Sequence, residues 1–275
     1  MTVLGAGRGP STLEAVVLSF DEFQFLQETL ELGDVPTVLS PIGRYDNETD
    51  HSRAMSSAAE SLAQRDLLIQ GEVHRDLEDR MQGLNRPHWA LEVRWFIDGH
   101  VNRLCVAKGD ELDVVALRGP NSYVVDEAGP DLPGTVVAAL GPAEPLELYG
   151  TNAPTEQLAP IFGDTGDSTR TAERLAKIGK PAHDATALAS ALVEIHSMVE
   201  ISGVVYGDGT RDFSPAHIAV FNTRHGRFVA TVSVAEDGTK WSSLSSGTTA
   251  RLRTAVHDLI ESLPLRAEFK PPTIS

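Results

Sequence analysis

The chain has 275 residues, 41% hydrophobic and 23% charged, which is the composition of an ordinary soluble globular protein. Its 39 acidic and 23 basic residues give a net charge of −16, which argues against nucleic acid or an anionic membrane as a partner, because phosphate binding depends on lysine and arginine. No apolar run approaches the ~20 residues of a membrane span, and the initial MTVLGAGRGPS is too short and glycine-rich for the apolar core of a signal peptide, so we expect a cytoplasmic protein.

The first predicted elements are a short strand and a helix that follows it directly, in LEAVVLSFDEFQFLQETLELG. Ser19 or Asp21 is placed to cap this helix and Gly33 to end it. The stretch from Pro36 to Asp50 contains two prolines and a cluster of turn formers, which predicts a loop. Two further helices are predicted, over about Ser52–Leu68 and Arg75–Leu84.

Four strands are predicted next, as an antiparallel meander, because Asp98-Gly99 and Gly109-Asp110 are typical hairpin corners. The strands cover about Trp89–Ile97, Val101–Lys108, Leu112–Arg118 and Ser122–Asp126, and a helix over about Leu132–Leu140 closes the set. The stretch from Thr151 to Asp167 contains Pro154, Pro160 and small polar-glycine steps, which predicts a connector or mobile loop.

The second half of the chain repeats this order. Helical patterns resume in STRTAERLAKIG and AHDATALASALVEI, where Leu188 and Leu192 belong to a repeat of three and four residues. The strands and the last helix follow at about Met198–Tyr206, Ala216–Thr223, Arg227–Ala235, Lys240–Leu244 and Thr248–Leu263. The repeat predicts an α+β fold, in which two similar halves share one central antiparallel sheet with helices packed around it.

The segment VFNTRHGRFVATV, Val220 to Val232, raises the question whether His225-Gly226-Arg227 is a site or a turn. Residues alternate in polarity on both sides of this tripeptide, which is the period of a half-buried strand. A His-Gly step between two such strands supplies the positive φ that a tight hairpin turn requires. We therefore interpret the tripeptide as the corner of a hairpin.

Candidate cofactor and metal motifs lack the spacing that their chemistry requires. VLGAGRGPS has Pro10 at the third glycine position of a dinucleotide fingerprint. DNETDH, residues 46–51, lacks the glycine and glutamate of an EF-hand loop. Cys105 is the single cysteine, which excludes an internal disulfide or a multi-cysteine metal site and fits a buried position. We predict no cofactor and no metal.

Candidate acid–base residues also fail to form a constellation. His183 followed by Asp184, and Glu194 near His196, could in principle exchange protons. Neighbours on a helix point in different directions, and no serine lies in a nucleophile-elbow pattern. We interpret these residues as polar side chains on a helix surface and predict no catalytic residue.

The corner FNTRHGRFVATV, followed by DGTKWSSLSSGTTARLRTAVHDLIESLP, resembles the C-terminal signature of the EspG family of ESX (type VII) secretion-associated proteins of actinobacteria. Gly226-Arg227, Trp241, Ser246-Gly247 and Leu263-Pro264 match that signature, whereas Asn222-Thr223 stands where Asp-Thr is usual. The segments LSFDEFQFLQETLELGDVPTVL, RPHWALEVRWF, VAALGPAEP and LAKIG are similar to the rest of the family pattern. The resemblance covers residues 14 to 268.

This resemblance implies a cytosolic chaperone that binds PPE proteins in PE–PPE heterodimers, and a quasi-twofold α+β fold with helical bundles beside the sheet. We expect one domain at 14–268, with halves at about 14–150 and 168–268 and flexible tails at 1–13 and 269–275. The alternative is an enzyme or a small-ligand-binding protein of unrecognised class. A buried pocket with converging polar groups would favour that alternative, and an open apolar groove would favour the chaperone. The particular partner and the oligomeric state stay open.

In the resembled family the client's tip meets the central sheet, the loop between the second and third strands, and the C-terminal helical bundle. On this chain the loop corresponds to the corner after Phe96-Ile97, and the helix to about His183–His196. The candidate partner-binding residues are Ile97, Leu188 and Leu192 as an apolar floor, and Asp98 and His100 as a polar rim. The two leucines could equally belong to the core. Because the corner has only about two residues, we expect binding to depend more on helix and sheet than on this loop.

Overall fold

The structure, a computed structural model, describes residues 11–33, 35–40, 44–207 and 210–264. The strands in these ranges are β1 (Val16–Ser19), β2 (Leu68–Ile69), β3 (Glu72–Val73), β4 (Trp89–Ile97), β5 (His100–Lys108), β6 (Asp113–Arg118), β7 (Ser122–Glu127), β8 (Thr151–Pro154), β9 (Ile195–Gly207), β10 (Thr210–Thr223), β11 (Gly226–Val234) and β12 (Lys240–Ser246). The helices are α1 (Phe20–Thr29), α2 (Glu48–Gln64), α3 (Arg75–Gly83), α4 (Leu132–Leu140), α5 (Thr155–Phe162), α6 (Ser168–Lys177), α7 (Ala182–Val193) and α8 (Thr249–Glu261), with a 3-10 helix at Thr37–Leu39.

Ten strands form one antiparallel sheet in the order β1-β7-β6-β5-β4-β9-β10-β11-β12-β8. The two halves of the chain meet at β4 and β9, which pair along all of β4 with Val93 opposite Ile201. Each half contributes a meander of four strands, β4 to β7 in the first half and β9 to β12 in the second. Beyond each meander lies an edge strand, β1 or β8, which precedes the bundle helices of its half in the sequence. The topology therefore has the approximate twofold symmetry that the repeated sequence order predicted.

The two faces of the sheet carry different helices, because successive strand residues point to opposite sides. Helices α4 and α8 cover one face, hereafter the α4–α8 face, where they pack on side chains such as Leu91, Val93 and Ile201. On the other face, the bundle face, α1–α3 pack on the strands of the first half around Tyr123. Helices α5–α7 pack there on the strands of the second half around Phe228. The molecule is an α+β protein with a helical bundle at each end of one sheet face.

Helix α1 begins with a capping box. The Ser19 hydroxyl accepts a hydrogen bond from the backbone N–H of Glu22 at 3.1 Å, and the Glu22 carboxylate accepts one from the N–H of Ser19 at 2.7 Å. Ser19 is therefore the cap, and the helix ends at Thr29, before Gly33. Glu22 also forms an ion pair with Arg65 at 2.7 Å, which ties α1 to α2.

Two sequence predictions were wrong about local structure. The stretch predicted as a connector, 151–167, contains edge strand β8 and helix α5, whose Leu158 and Ile161 are buried. Pro154 is tolerated because β8 is at the edge of the sheet, and Pro160 lies inside the short helix α5. The helix predicted over Ser52–Leu68 begins at Glu48 and ends at Gln64, and Leu68 lies in the hairpin of β2 and β3, which was not predicted because it has only two residues in each strand. By topology β8 and α5 correspond to β1 and α1, so we place the start of the second half at Thr151 rather than at 168.

The beginning of the described chain is anchored to α3. Arg80, 1% exposed, donates hydrogen bonds to the carbonyls of Leu13 at 2.6 Å and Glu14 at 2.8 Å, and Thr12 donates to Asp76 at 2.7 Å from both its hydroxyl and its N–H. These bonds from Thr12 hold the pKa of Asp76 at about 2. Residues 11–13 are therefore not part of a tail. The remainder of the predicted N-terminal tail, 1–10, and the predicted C-terminal tail lie outside the described residues.

Gly226 is required by a close approach of two backbones. The β10–β11 corner has two residues between Thr223 and Gly226, and Gly226 has φ of +125°. A Cβ at this position would lie 2.6 Å from the backbone nitrogen of Leu146. The next residue, Arg227, is 3% exposed and donates to the carbonyls of Leu140 and Gly141, which fixes the end of α4 on the sheet. The corner is thus structural.

Candidate partner-binding surface

A strip of the bundle face lies on the central strands, between the two helical bundles. We define this central strip by six half-buried residues that direct cross-strand pairing places on one face, namely Arg94, Phe96, Val101, Arg103, Met198 and Glu200. Corresponding positions on the α4–α8 face, such as Val93 and Val199, are buried beneath helices. The bundle face therefore offers accessible side chains at the centre of the sheet.

Apolar residues cross the central strip as a continuous ladder. Direct pairing links Val101 to Phe96, Phe96 to Met198, Met198 to Phe221, and Phe221 to Phe228. The rings of Phe221 and Phe228 stack with centroids 4.6 Å apart and lie against Phe162 of α5. The ladder is half-buried near the β4–β5 corner and fully buried under the second bundle. A partner that covers its open end would extend an existing core and remove apolar surface from water, which favours binding.

A charged row runs beside this ladder. Arg118 lies opposite Arg103, Arg103 opposite Arg94, and Arg94 opposite Glu200. Arg94 donates to the buried carboxyl group of Glu92 at 3.3 Å. The surface thus combines an apolar floor with charged groups on one side, which is the usual anatomy of a protein–protein interface.

The β4–β5 corner stands at the end of this strip. Asp98 and Gly99 form a two-residue turn with φ of +48° and +75°, and Ile97 pairs with His100. The turn is as short as the sequence indicated. Asp98 and His100 are exposed, whereas Ile97 is half-buried and points to the α4–α8 face, because its neighbour Phe96 points to the bundle face. Phe96 is the apolar residue that this hairpin brings to the strip, and strand alternation in RWFI was the signal that could have identified it.

Leu188 and Leu192 lie in the core of the second bundle. Their exposed fractions are 0% and 3%, and both pack in the cluster that contains Phe221 and Phe228. The alternative assignment of these leucines to the core is the one that agrees with their burial: they pack over the buried end of the ladder, at Phe221 and Phe228, and do not form the accessible floor. Helix α7 ends at Val193, and His196 lies on β9.

The four polar residues considered for acid–base chemistry do not come together as a group. Asp184 is fully buried, contrary to its expected place on a helix surface, and accepts a hydrogen bond from the backbone N–H of Tyr149 at 3.1 Å. His183 Nδ1 lies 3.1 Å from the same carboxylate oxygen. Asp184 therefore fixes the segment before β8 onto α7. Glu194 lies 3.9 Å from the exposed His225, and His196 is exposed.

The pockets are open to solvent. A groove of about 770 Å³ beside α7 is lined by residues that include Leu146, Ala187 and His225. A second pocket, of about 220 Å³ at the end of α3, gathers polar side chains, but its His88–Asp110 pair, 2.7 Å apart, includes an aspartate that is 80% exposed. Within the described ranges, no three His, Cys, Asp or Glu side chains are placed to hold a metal ion. Cys105 is buried, and burial raises the pKa of its thiol. No helix of the described chain is long and apolar enough to cross a bilayer.

The fold is similar to that of a solved α+β secretion chaperone. This is the type VII secretion system chaperone EspG5 of Mycobacterium tuberculosis, solved in complex with a PE25–PPE41 dimer. The two chains superimpose with a TM-score of 0.75 at 17% sequence identity, over 91% of this chain and 97% of that chain. At this identity the likeness establishes a shared fold.

A family model assigns the family, and sequence relatives agree with it. The chain is 29% identical over 213 residues to the ESX-1 secretion-associated protein EspG1 of Mycolicibacterium smegmatis, which covers 75% of this chain and 72% of that protein. It is 27% identical over 259 residues to EspG1 of Mycobacterium tuberculosis, over 92% and 88% of the two chains. The model of the EspG family matches residues 19–258. The chain belongs to the EspG family.

Proposed function

We propose that this chain is a cytoplasmic type VII secretion chaperone that binds a PE–PPE heterodimer before export, keeps it soluble and targets it for secretion. The observation that carries the proposal is the apolar ladder of the central strip, which leads from the half-buried Phe96 and Met198 to the buried Phe221 and Phe228. Family membership and the solved complex of EspG5 with PE25–PPE41 support a PE–PPE pair as the partner class.

The ladder explains how such a chaperone would work. When an apolar tip of the partner covers Phe96 and Met198, the apolar surfaces of both proteins are removed from water. The buried centre of an interface usually carries most of its binding energy. The same contact masks the tip from aggregation until release. The strongly acidic surface of the chaperone, with a net charge of −16, keeps the complex soluble.

The test is co-expression of the tagged chain with PE–PPE pairs cloned from the genome that encodes it. We expect at least one pair to co-purify and to elute with the chaperone as one complex. Each pair expressed without the chaperone is the control for solubility. If every soluble pair elutes separately from the chaperone, the proposed function is wrong.

The corner residues Asp98 and His100 are proposed to lie at the rim of this interface, whereas Ile97, predicted as part of its floor, points to the α4–α8 face. Asp98→Lys combined with His100→Glu reverses the polarity of the rim, and the folding of this variant is checked separately because Asp98 has a φ of +48°, which lysine adopts less readily than aspartate. We expect affinity to fall only about threefold, since rim contacts contribute less than buried ones. Unchanged affinity in the folded double variant would remove this corner from the interface.

We also propose that the chain has no catalytic role. His183 and Asp184 act in structure, because the carboxylate holds the backbone N–H of Tyr149. Alanine at His183, His196 or His225 should leave partner binding unchanged in a folded protein. A turnover activity lost on any of these substitutions would contradict this part of the proposal.

A further inference from the structure

Three arginines stand side by side on the bundle face of a strongly acidic protein. Arg94, Arg103 and Arg118 occupy directly opposed positions on β4, β5 and β6, and we call them the arginine row. Directly opposed residues have Cβ atoms only about 5 Å apart, and like charges in this arrangement destabilise a sheet. A row of three arginines therefore destabilises the fold. Such a cluster of positive charge is also unexpected in a chain with a net charge of −16.

The protein itself neutralises this row incompletely. Arg94 has Glu92 at 3.3 Å and Glu200 as its cross-strand neighbour. Arg118 donates to the carbonyl of Ser40 and lies over the rings of Phe20 and Tyr123. Arg103 donates to the carbonyl of Val101. Within the described ranges, neither Arg103 nor Arg118 has a carboxylate within 4.0 Å.

The middle arginine is the group that most needs a counter-charge. Arg103 lies between two other guanidinium groups, and burial together with Arg118 and Arg94 lowers its pKa. Its side chain is half-buried and accessible in the central strip, whereas Arg118 is only 8% exposed. A carboxylate placed against Arg103 would gain a hydrogen-bonded ion pair and would relieve repulsion within the row.

We infer that the arginine row binds carboxylate side chains of the secreted partner, so that the chaperone recognises an acidic segment next to the apolar tip. The inference rests on the proposed function and adds the chemical class that this surface selects. The residues Val101, Phe96 and Met198 of the apolar ladder form the next cross-strand row on the same face of the sheet. One partner segment can therefore fill both surfaces with an apolar residue and an acidic residue.

A protein carboxylate suits the site better than a polyanion. The field of 16 excess negative charges repels nucleic acid or an anionic bilayer at long range. A short acidic segment on a docked partner is held by the apolar contact and needs only local complementarity. Arginine geometry also favours bidentate binding of a carboxylate.

The test measures affinity of the co-purifying PE–PPE heterodimer for the wild-type chain, for Arg103→Gln and for Arg53→Gln. Glutamine at position 103 keeps a polar amide and removes the charge. Arg53 is the matched control, because it is 73% exposed on α2 and its loss changes the net charge equally. We expect Arg103→Gln to weaken binding about tenfold and Arg53→Gln less than about twofold. The thermal midpoint of Arg103→Gln should stay equal or rise, because repulsion in the row falls.

A second measurement does not depend on the folding of any variant. Salt screens attraction between the row and an acidic segment, so wild-type affinity should fall as ionic strength rises from about 0.05 to about 0.5 M. Equal affinity of wild type and folded Arg103→Gln, or affinity that does not fall with salt, would overturn the inference and leave the proposed function standing. Loss of self-association in Arg103→Gln, with heterodimer affinity unchanged, would assign the row to a second copy of the chain and also overturn it. If no heterodimer binds wild type, the proposed function itself fails.

Discussion

Glu92 is a carboxyl group that the fold buries completely, at the edge of the charged row. It is 0% exposed, and its neighbours are the backbone N–H groups of Thr37 and Val38, the guanidinium of Arg94, and Tyr206. Burial raises the pKa of Glu92, while the N–H groups and Arg94 act in the opposite direction. Burial and the nearby Glu92 carboxyl also raise the pKa of Tyr206. Glu92 is thus an ionisable group whose burial is only partly compensated, because Oε2 accepts from Arg94 at 3.3 Å and Oε1 has no hydrogen-bond partner among the described residues.

The raised pKa of Glu92 predicts a pH-dependent stability. A group whose pKa is higher in the folded state stabilises the fold below its ordinary pKa, about 4.3, and loses that contribution as pH rises through the folded-state pKa. Glu92→Gln cannot ionise, so its thermal midpoint should exceed that of wild type by a margin that grows from pH 4.5 to pH 8. A Glu92→Gln protein that is less stable than wild type by the same amount at every pH would show that the carboxylate is needed for its hydrogen bonds.

At the scale of elements, period-2 alternation and turn residues predicted the strands well. Trp89–Ile97 and Leu132–Leu140 were located with their observed bounds, because Asp98-Gly99 ends the strand and Asp131 and Gly141 flank the helix. The structure of 151–162 was missed because prolines disfavour regular structure in isolation, whereas packing of Leu158 and pairing with β12 stabilise it in the fold.

The candidate site was predicted only in part, for a related reason. The β4–β5 corner and the second bundle could be placed from the resemblance, but the cross-strand neighbours could not. Phe96 and Met198 are 102 positions apart in the sequence and meet only because β4 pairs with β9. The arginine row likewise depends on the registers of two hairpins, and a shift of one residue would move an arginine to the other face. The two-residue Asp98-Gly99 turn fixes the register of β4 with β5, but the pairing of β4 with β9, which are far apart in the chain, has no such local signal.

The burial of α7 predicts that its two leucines act through stability. Leu188→Ala removes a fully buried side chain from the second bundle and should lower the free energy of unfolding by about 3 kcal/mol, measured by urea denaturation. Val193→Ala, at the end of the same helix and 45% exposed, is the control and should change it by less than about 0.5 kcal/mol. If Leu188→Ala unfolds like wild type but loses partner affinity, the leucine contacts the partner directly.

At the scale of the whole molecule, the twofold topology places one accessible surface at the junction of two similar halves. Each half covers its own end of the bundle face with three helices, and the central strands β4 and β9 lie between these bundles. The halves are alike in topology and different in chemistry. The first half contributes the arginine row, and the second contributes the buried end of the apolar ladder. An asymmetric partner can therefore bind in one orientation.

The most direct test of this account compares neighbouring residues of β4 that point to opposite faces. A photoreactive phenylalanine analogue is placed either at Phe96, on the bundle face, or at Trp95, on the α4–α8 face, and the chain is irradiated with its co-purified PE–PPE heterodimer. Both native side chains are aromatic and half-buried, so the two variants are matched. The account predicts a covalent adduct with the PPE chain from position 96 and none above background from position 95. An adduct from position 95 alone would place the partner on the α4–α8 face and contradict the account.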